Sequence, residues 1–252
     1  EFVSGNRRKG DPTGIFLSDP LVAGGHQRDR YTLAQGQWQD TFLDQKLQVQ
    51  ARVFAGQEKF SSMHHYGTPI SFTSTGDWRG MELRTLYTGF DGHKWMLGLE
   101  WQDNFRVDQR SIDFAEPDNN ISISSPGTRT GVYAQDEWRM SDTLTATLGL
   151  RVDYNSTTGS RTSPRAALIW QAAPATTLKA LYGRAHRAPN AYERDYQDEF
   201  GQTANPALQG ERIDTLELVA MRAEAAGREE IHTVRGPRLA AAKVVIRPDG
   251  LL

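Results

Sequence analysis

Alternation with a period of two is the feature that most limits how this chain can fold. Between residues 143 and 154, Leu144, Ala146, Leu148, Leu150 and Val152 point to one side, while Thr145, Thr147, Gly149, Arg151 and Asp153 point to the other. A period near 2 belongs to strands and one near 3.6 to helices, so this segment is a strand with one apolar face and one polar face. The same alternation recurs over 30–39, 46–56, 77–88, 94–106, 128–139, 163–171, 176–185 and 211–220. In the second of these, Leu47, Val49, Ala51, Val53 and Ala55 alternate with Gln48, Gln50, Arg52 and Phe54. Such faces can meet either a protein core or lipid.

Composition bears on that choice. Hydrophobic residues make up 38% of the 252 and the formal net charge is −2; mean hydropathy is −0.60 and the pI is near 6.4. The apolar content is low for a large soluble globule, yet aromatic residues at 10% and the regular alternation argue against disorder. No basic stripe favours nucleic acid as a partner. No apolar run reaches the roughly 18 residues of a membrane helix. A membrane, if present, is therefore crossed by strands whose polar faces dilute the average. There is no cysteine, which excludes disulfides and thiolate metal sites.

The connections sort by length. Those at 40–45, 89–93, 140–142 and 172–175 are short; 57–76, 107–127 and 186–210 are long, and 155–162 is intermediate. Outer-membrane barrels place tight turns at the periplasmic end and long loops outside. Trp38, Trp95, Trp138 and Trp170 each lie about two residues from a short connection, the depth at which indoles form an interfacial ring. Trp78, at the long-loop end, is expected in a second ring. Arg52, Glu82, Arg84, Glu100, Arg151 and Asp153 fall on the polar faces and are expected to face the lumen. In a dry core each would cost several kcal/mol unless paired.

Nine strands do not close a barrel, because single-chain bacterial barrels use even numbers and open edges in lipid leave backbone groups unpaired. Either residues 1–9 supply a tenth strand or the chain is a slice of a larger barrel. Residues 221–252 read differently from the rest. They are rich in Ala, Arg and Gly, carry no aromatic residue, and lack clear alternation until a brief AKVVIR. The expectation is a barrel segment at 1–220 and a non-barrel tail at 221–252, foreign in reading frame or disordered.

Several phrases then resemble a known family. YAQDEW at 133–138 with LGLRVDYN at 148–155, GRAHRAPNAYE at 183–193, NPALQGERIDTLELVA at 205–220 and KGDPTGIFLSDPLV at 9–22 are similar to segments of TonB-dependent outer-membrane receptors of the ferric-siderophore and cobalamin type. The family commonly has Phe where this chain has His186. The resemblance implies an all-β antiparallel meander, here about nine to ten long strands of a 22-stranded barrel in the bacterial outer membrane. It implies import of a scarce chelate, and coupling to the TonB complex through an N-terminal plug. This chain contains no plug, so transport by the chain alone is not expected.

Receptor selectivity resides in long loops and the outer mouth. Two groups are candidates there. His64, His65 and Tyr66, following Met63 in the first long connection, could touch a metal chelate through imidazole; a solvated loop is the plainer alternative. Arg187, Tyr192, Glu193 and Tyr196 lie where the eighth of the nine strands ends. Arg187 could engage an anionic chelate with its fork of donors, or it could pair with Glu193 around a turn set by Pro189 and Asn190. No phosphate loop, GxSxG or HExxH motif occurs, so neither catalysis nor a resident cofactor or metal is expected. Two other classes stay open: a small self-contained barrel or porin, and a soluble all-β binding module.

Overall fold

The computed structural model describes residues 1–10, 25–65, 68–197, 202–222 and 238–246, the last as backbone. Eleven strands follow one another antiparallel in a single sheet: β1 (Phe2–Gly10), β2 (His26–Phe42), β3 (Leu47–His65), β4 (Pro69–Tyr87), β5 (His93–Asp113), β7 (Gly127–Arg139), β8 (Leu144–Asn155), β9 (Gly159–Ala173), β10 (Thr176–Arg187), β11 (Glu211–Arg222) and β12 (Arg238–Ile246). A short strand, β6 (Ile121–Ser124), pairs β5 off this path. One helix, α1 (Ala191–Asp195), and a 3-10 turn at Pro117–Asn119 lie between strands. Residues 2–10 do form a strand, paired to β2. The sheet still ends at β1 on one side and β12 on the other, with no pairing between them among the described residues.

The sheet has no hydrophobic core: among the described residues no apolar side chain is buried. The apolar side of the alternation is bare. Leu148 is 63% exposed, Leu150 50% and Leu97 51%. Trp38, Trp95, Trp138 and Trp170 are 37–50% exposed near the tight turns. A soluble sandwich would cover this face with a second layer. Its absence is the arrangement expected of a wall whose outer face meets lipid.

The strands are longer than the alternation indicates. The region 57–76, expected as a loop, continues β3 to His65 and begins β4 at Pro69. Spanning a bilayer takes about 9–11 tilted residues, so strands of this length project well into water. There both faces are wet, polar residues occupy both, and hydrophobic alternation stops although backbone pairing goes on. Met63, His64 and His65 accordingly sit at a strand end rather than in a loop.

One bulge resets the faces. Asp77 pairs with Arg106 and Arg79 with Asp103, so β5 carries an extra residue opposite β4. Below the bulge Trp95, Leu97 and Leu99 share the apolar face; above it that face continues through Arg106 and Asp108. Trp78 departs from the expected second ring. In register it opposes Gly56, and its indole lies where a Gly56 Cβ would point, 2.5 Å from that position at Cε2. It therefore sits on the other, concave face, 6.1 Å from the Tyr31 ring.

Candidate functional site: a charged belt on the concave face

Two neighbouring rows of the sheet bring the polar faces together. One runs Gln50, Arg84, Gly98, Tyr133, Arg151, Ser163; the next runs Arg52, Glu82, Glu100, Gly131, Asp153, Arg161. Tight turns fix hairpin register, so residues far apart in sequence meet at one level. Glu82 and Glu100 are directly opposed, a destabilising juxtaposition by itself. Each has a cation: Arg52 lies 3.4 Å from Glu82, and Arg151 lies 2.6 Å from Glu100.

Arg151 is the hub. Its Nη1 and Nη2 donate to the two Glu100 oxygens at 3.0 and 2.6 Å, and its Nε donates to Asp153 at 2.8 and 2.9 Å. A bidentate fork of this kind is the strong geometry for guanidinium and carboxylate. To reach β5 from β8 the side chain must cross β7, and it does so over Gly131. A Cβ on Gly131 would lie 2.7 Å from Asp153 Oδ1 and 3.0 Å from Arg151 Cζ. Gly98 serves Tyr133 in the same way, since the tyrosine ring occupies the space a Cβ would take. Arg151 then stacks over that ring at 5.5 Å. Arg84 donates to Gln50, and Arg52 stacks on Phe54 at 4.8 Å.

The belt continues to β10. His186 Nδ1 lies 3.1 Å from Ser163 Oγ and its Nε2 3.9 Å from Asp153. Glu82, Glu100, Tyr133, Arg151, Asp153 and His186 line a concavity of about 710 Å³. The six charged residues assigned to the polar faces thus lie together in two adjacent rows of the concave face. Gly131, Tyr133, Ser163 and His186 were not foreseen as members of the belt. The interruption of β7 by a glycine opposite Asp153 is the signal that could have found the crossing.

At the rim the two expected groups separate. Tyr66 lies outside the described residues. His64 packs edge-on to Phe72 at 5.8 Å on the concave face, and His65, one residue on, points to the opposite face. Arg187, Tyr192, Glu193 and Tyr196 do gather. Pro189 ends β10, and Asn190 caps α1 by accepting from the Glu193 N–H at 2.8 Å, while Glu193 accepts from the Asn190 N–H at 2.9 Å. Arg187 holds Glu193 at 2.8 Å and Glu211 at 3.0 Å. The Tyr192 and Tyr196 rings lie 4.5 Å apart. Ser125 Oγ donates to Asp195 at 2.5 Å, tying this loop to the β6–β7 connection.

Arg187 and the Asn190 N–H hold the Glu193 carboxyl below the usual carboxylate range. A depressed folded-state pKa stabilises above the unfolded value, and that contribution is lost as pH falls through the folded value. Protection of the 190–195 amides against hydrogen exchange is therefore expected to decline on acidification from about pH 6 toward pH 2. Glu193→Gln should remove most of this pH dependence; an unchanged profile in the variant would assign the effect elsewhere.

The model of the family described as "TonB dependent receptor-like, beta-barrel" matches residues 2–220. The iron-regulated outer membrane virulence protein of Vibrio cholerae serotype O1 is 28% identical over 152 residues, 57% of this chain and 22% of that protein. The vitamin B12 transporter BtuB of Vibrio cholerae serotype O1 is 31% identical over 122 residues, 48% of this chain and 17% of the transporter. This chain spans only about a fifth of the length of these relatives. Among solved structures, the copper transporter OprC superposes with a TM-score of 0.61 at 14% identity, covering 80% of this chain and 40% of that one. The ferric citrate transporter FecA gives 0.55 at 14% identity, covering 79% and 33%. At such identities the likeness is one of fold.

Proposed function

Because the chain belongs to the TonB-dependent receptor β-barrel family, a family of outer-membrane receptors and transporters rather than enzymes, we propose that it forms part of the wall of an importer for a scarce nutrient chelate. Ferric siderophore, cobalamin or a similar compound is the cargo class. One observation carries the reading: a coreless sheet with a bare, tryptophan-ringed apolar face on one side and a charged belt on the other. Lipid takes the first face. The belt of Arg52, Glu82, Arg84, Glu100, Arg151 and Asp153 lines the water-filled lumen.

In this reading residues 1–220 are the wall unit, where the family match lies, and 221–252 are a tail to it, although the backbone of 238–246 pairs with β11. The TonB complex acts on the full-length receptor through its plug. The outer-mouth contact falls to the Tyr192–Tyr196 pair, with Tyr192 47% exposed, because Arg187 is engaged by two carboxylates and serves to hold the loop. His64 and His65 lie on opposite faces of one strand and do not converge on one ion.

The test is titration of the full chain, reconstituted in lipid vesicles, with a ferric catecholate, a ferric hydroxamate and cyanocobalamin, read by quenching of aromatic fluorescence. One of the three is expected to quench saturably, and the Tyr192→Ala/Tyr196→Ala variant to bind it about tenfold more weakly. Absence of saturable quenching by all three would sink the proposal.

A further inference from the structure

On the outer, lipid-side face, cations meet cations. The β1–β2 register sets Arg8 directly opposite Arg28, and the β2–β3 register sets Arg30 directly opposite Lys59. All four share the face of Trp38 and Val53, since they stand an even number of residues from these on their strands or in register with them. Like charges directly opposed destabilise a strand pair. Among the described residues the side chains of Arg8, Arg30 and Lys59 make no hydrogen bond or ion pair, and that of Arg28 reaches only the neutral Asn6 Oδ1 at 3.2 Å. On the concave side of the same strands the pairing is ordinary: Arg7 holds Asp29 at 2.7 Å. Directly opposed like charges are confined to the outer face of these three strands.

Depth identifies what supplies it. Arg30 lies eight residues along β2 from Trp38, about 27 Å at roughly 3.4 Å per residue. For a strand tilted by about 45° that is a height of roughly 20 Å above the ring of indoles near the tight turns. Arg28 stands about 5 Å higher by the same arithmetic. The apolar band of an outer-membrane barrel is about 25 Å tall. The four cations therefore stand at the level of the outer-leaflet headgroups, and guanidinium and ammonium groups in a row match phosphate oxygens.

We propose that Arg8, Arg28, Arg30 and Lys59 form a docking surface for the phosphate-bearing headgroup of an outer-leaflet glycolipid. This rests on the outer-membrane reading of the apolar face. The lipid phosphates supply the anions that the register omits and relieve the two like-charge pairs.

The test compares the full chain with Arg30→Gln/Lys59→Gln and Arg30→Lys in phosphatidylcholine vesicles doped with lipid A, with dephosphorylated lipid A, or with neither. Retention of labelled lipid is read after extraction. The chain is expected to retain lipid A about tenfold better than the double variant. Arg30→Lys should keep that retention, and dephosphorylated lipid A should not be held. In undoped vesicles the double variant should need more urea to unfold than the parent, because its like-charge pair is gone. Equal retention by parent and double variant, or of both glycolipids, overturns the proposal. So does saturable binding of inorganic phosphate alone with the same dependence on Arg30 and Lys59, which would assign a soluble anion. Recovery of the parent chain wholly in the aqueous fraction, with no association with undoped vesicles, would instead overturn the outer-membrane reading of the apolar face on which this one stands.

Discussion

The Leu150→Arg substitution is expected to destabilise the membrane-inserted chain by about 2–4 kcal/mol, and Thr147→Arg by about 0–1 kcal/mol. Leu150 lies mid-strand in β8 and is half exposed, in a sheet with no buried apolar side chain among the described residues. On a soluble protein a half-exposed leucine replaced by arginine would change little. On a lipid-facing wall the guanidinium must be carried into hydrocarbon or drag water with it. Thr147 is on the concave side, in register with Glu137 and Ala167, where an added cation stays hydrated. Urea titration of folding into vesicles measures both. If the two substitutions have the same small effect, the apolar face does not touch lipid.

The second large effect concerns Gly131. Strand propensity alone favours valine over glycine, yet Gly131→Val is expected to cost about 1–3 kcal/mol, the usual range for overpacking. The new methyl groups would occupy the path of Arg151 over β7, where even a Cβ meets Asp153 Oδ1 at 2.7 Å. Glu100 would lose its bidentate partner while Glu82 remains directly opposite it. The mechanism predicts non-additivity, since neighbours in one network couple. In an Arg151→Met background the guanidinium is already absent, so the further penalty of Gly131→Val should shrink by at least half. A full additive penalty would show that valine harms β7 for reasons unrelated to the crossing.

The candidate site was partly legible before any coordinates. Arg52, Glu82, Arg84, Glu100, Arg151 and Asp153 could be assigned to one face because each sits at a polar position of a strict alternation. Their connection could not be read this way. That Arg151 passes over the Tyr133 ring to reach Glu100, two strands away, depends on register across three strands, and register is the sum of turn lengths and bulges, not of local preference. The same holds for His186, whose contacts to Ser163 and Asp153 lie 23 and 33 residues away in sequence. Trp78 was misplaced because tryptophan near a strand end is a statistical signal for an interface. Its actual face was decided by the space that Gly56 leaves beside it.

By itself the sequence determined that this chain forms antiparallel strands with one apolar side, where the tight turns fall, and at what depth four indoles lie. It could do so because a strand between lipid and water needs an apolar residue at every second position, and that requirement is written locally. Only the tertiary structure decided how far the strands run into water, where β5 gains its extra residue, and which charges share a row. Beyond the bilayer both faces are wet, so the period-two signal vanishes while hydrogen bonding between strands continues. Alternation records a difference in solvent between two faces; pairing and register record contacts between segments that alternation does not encode.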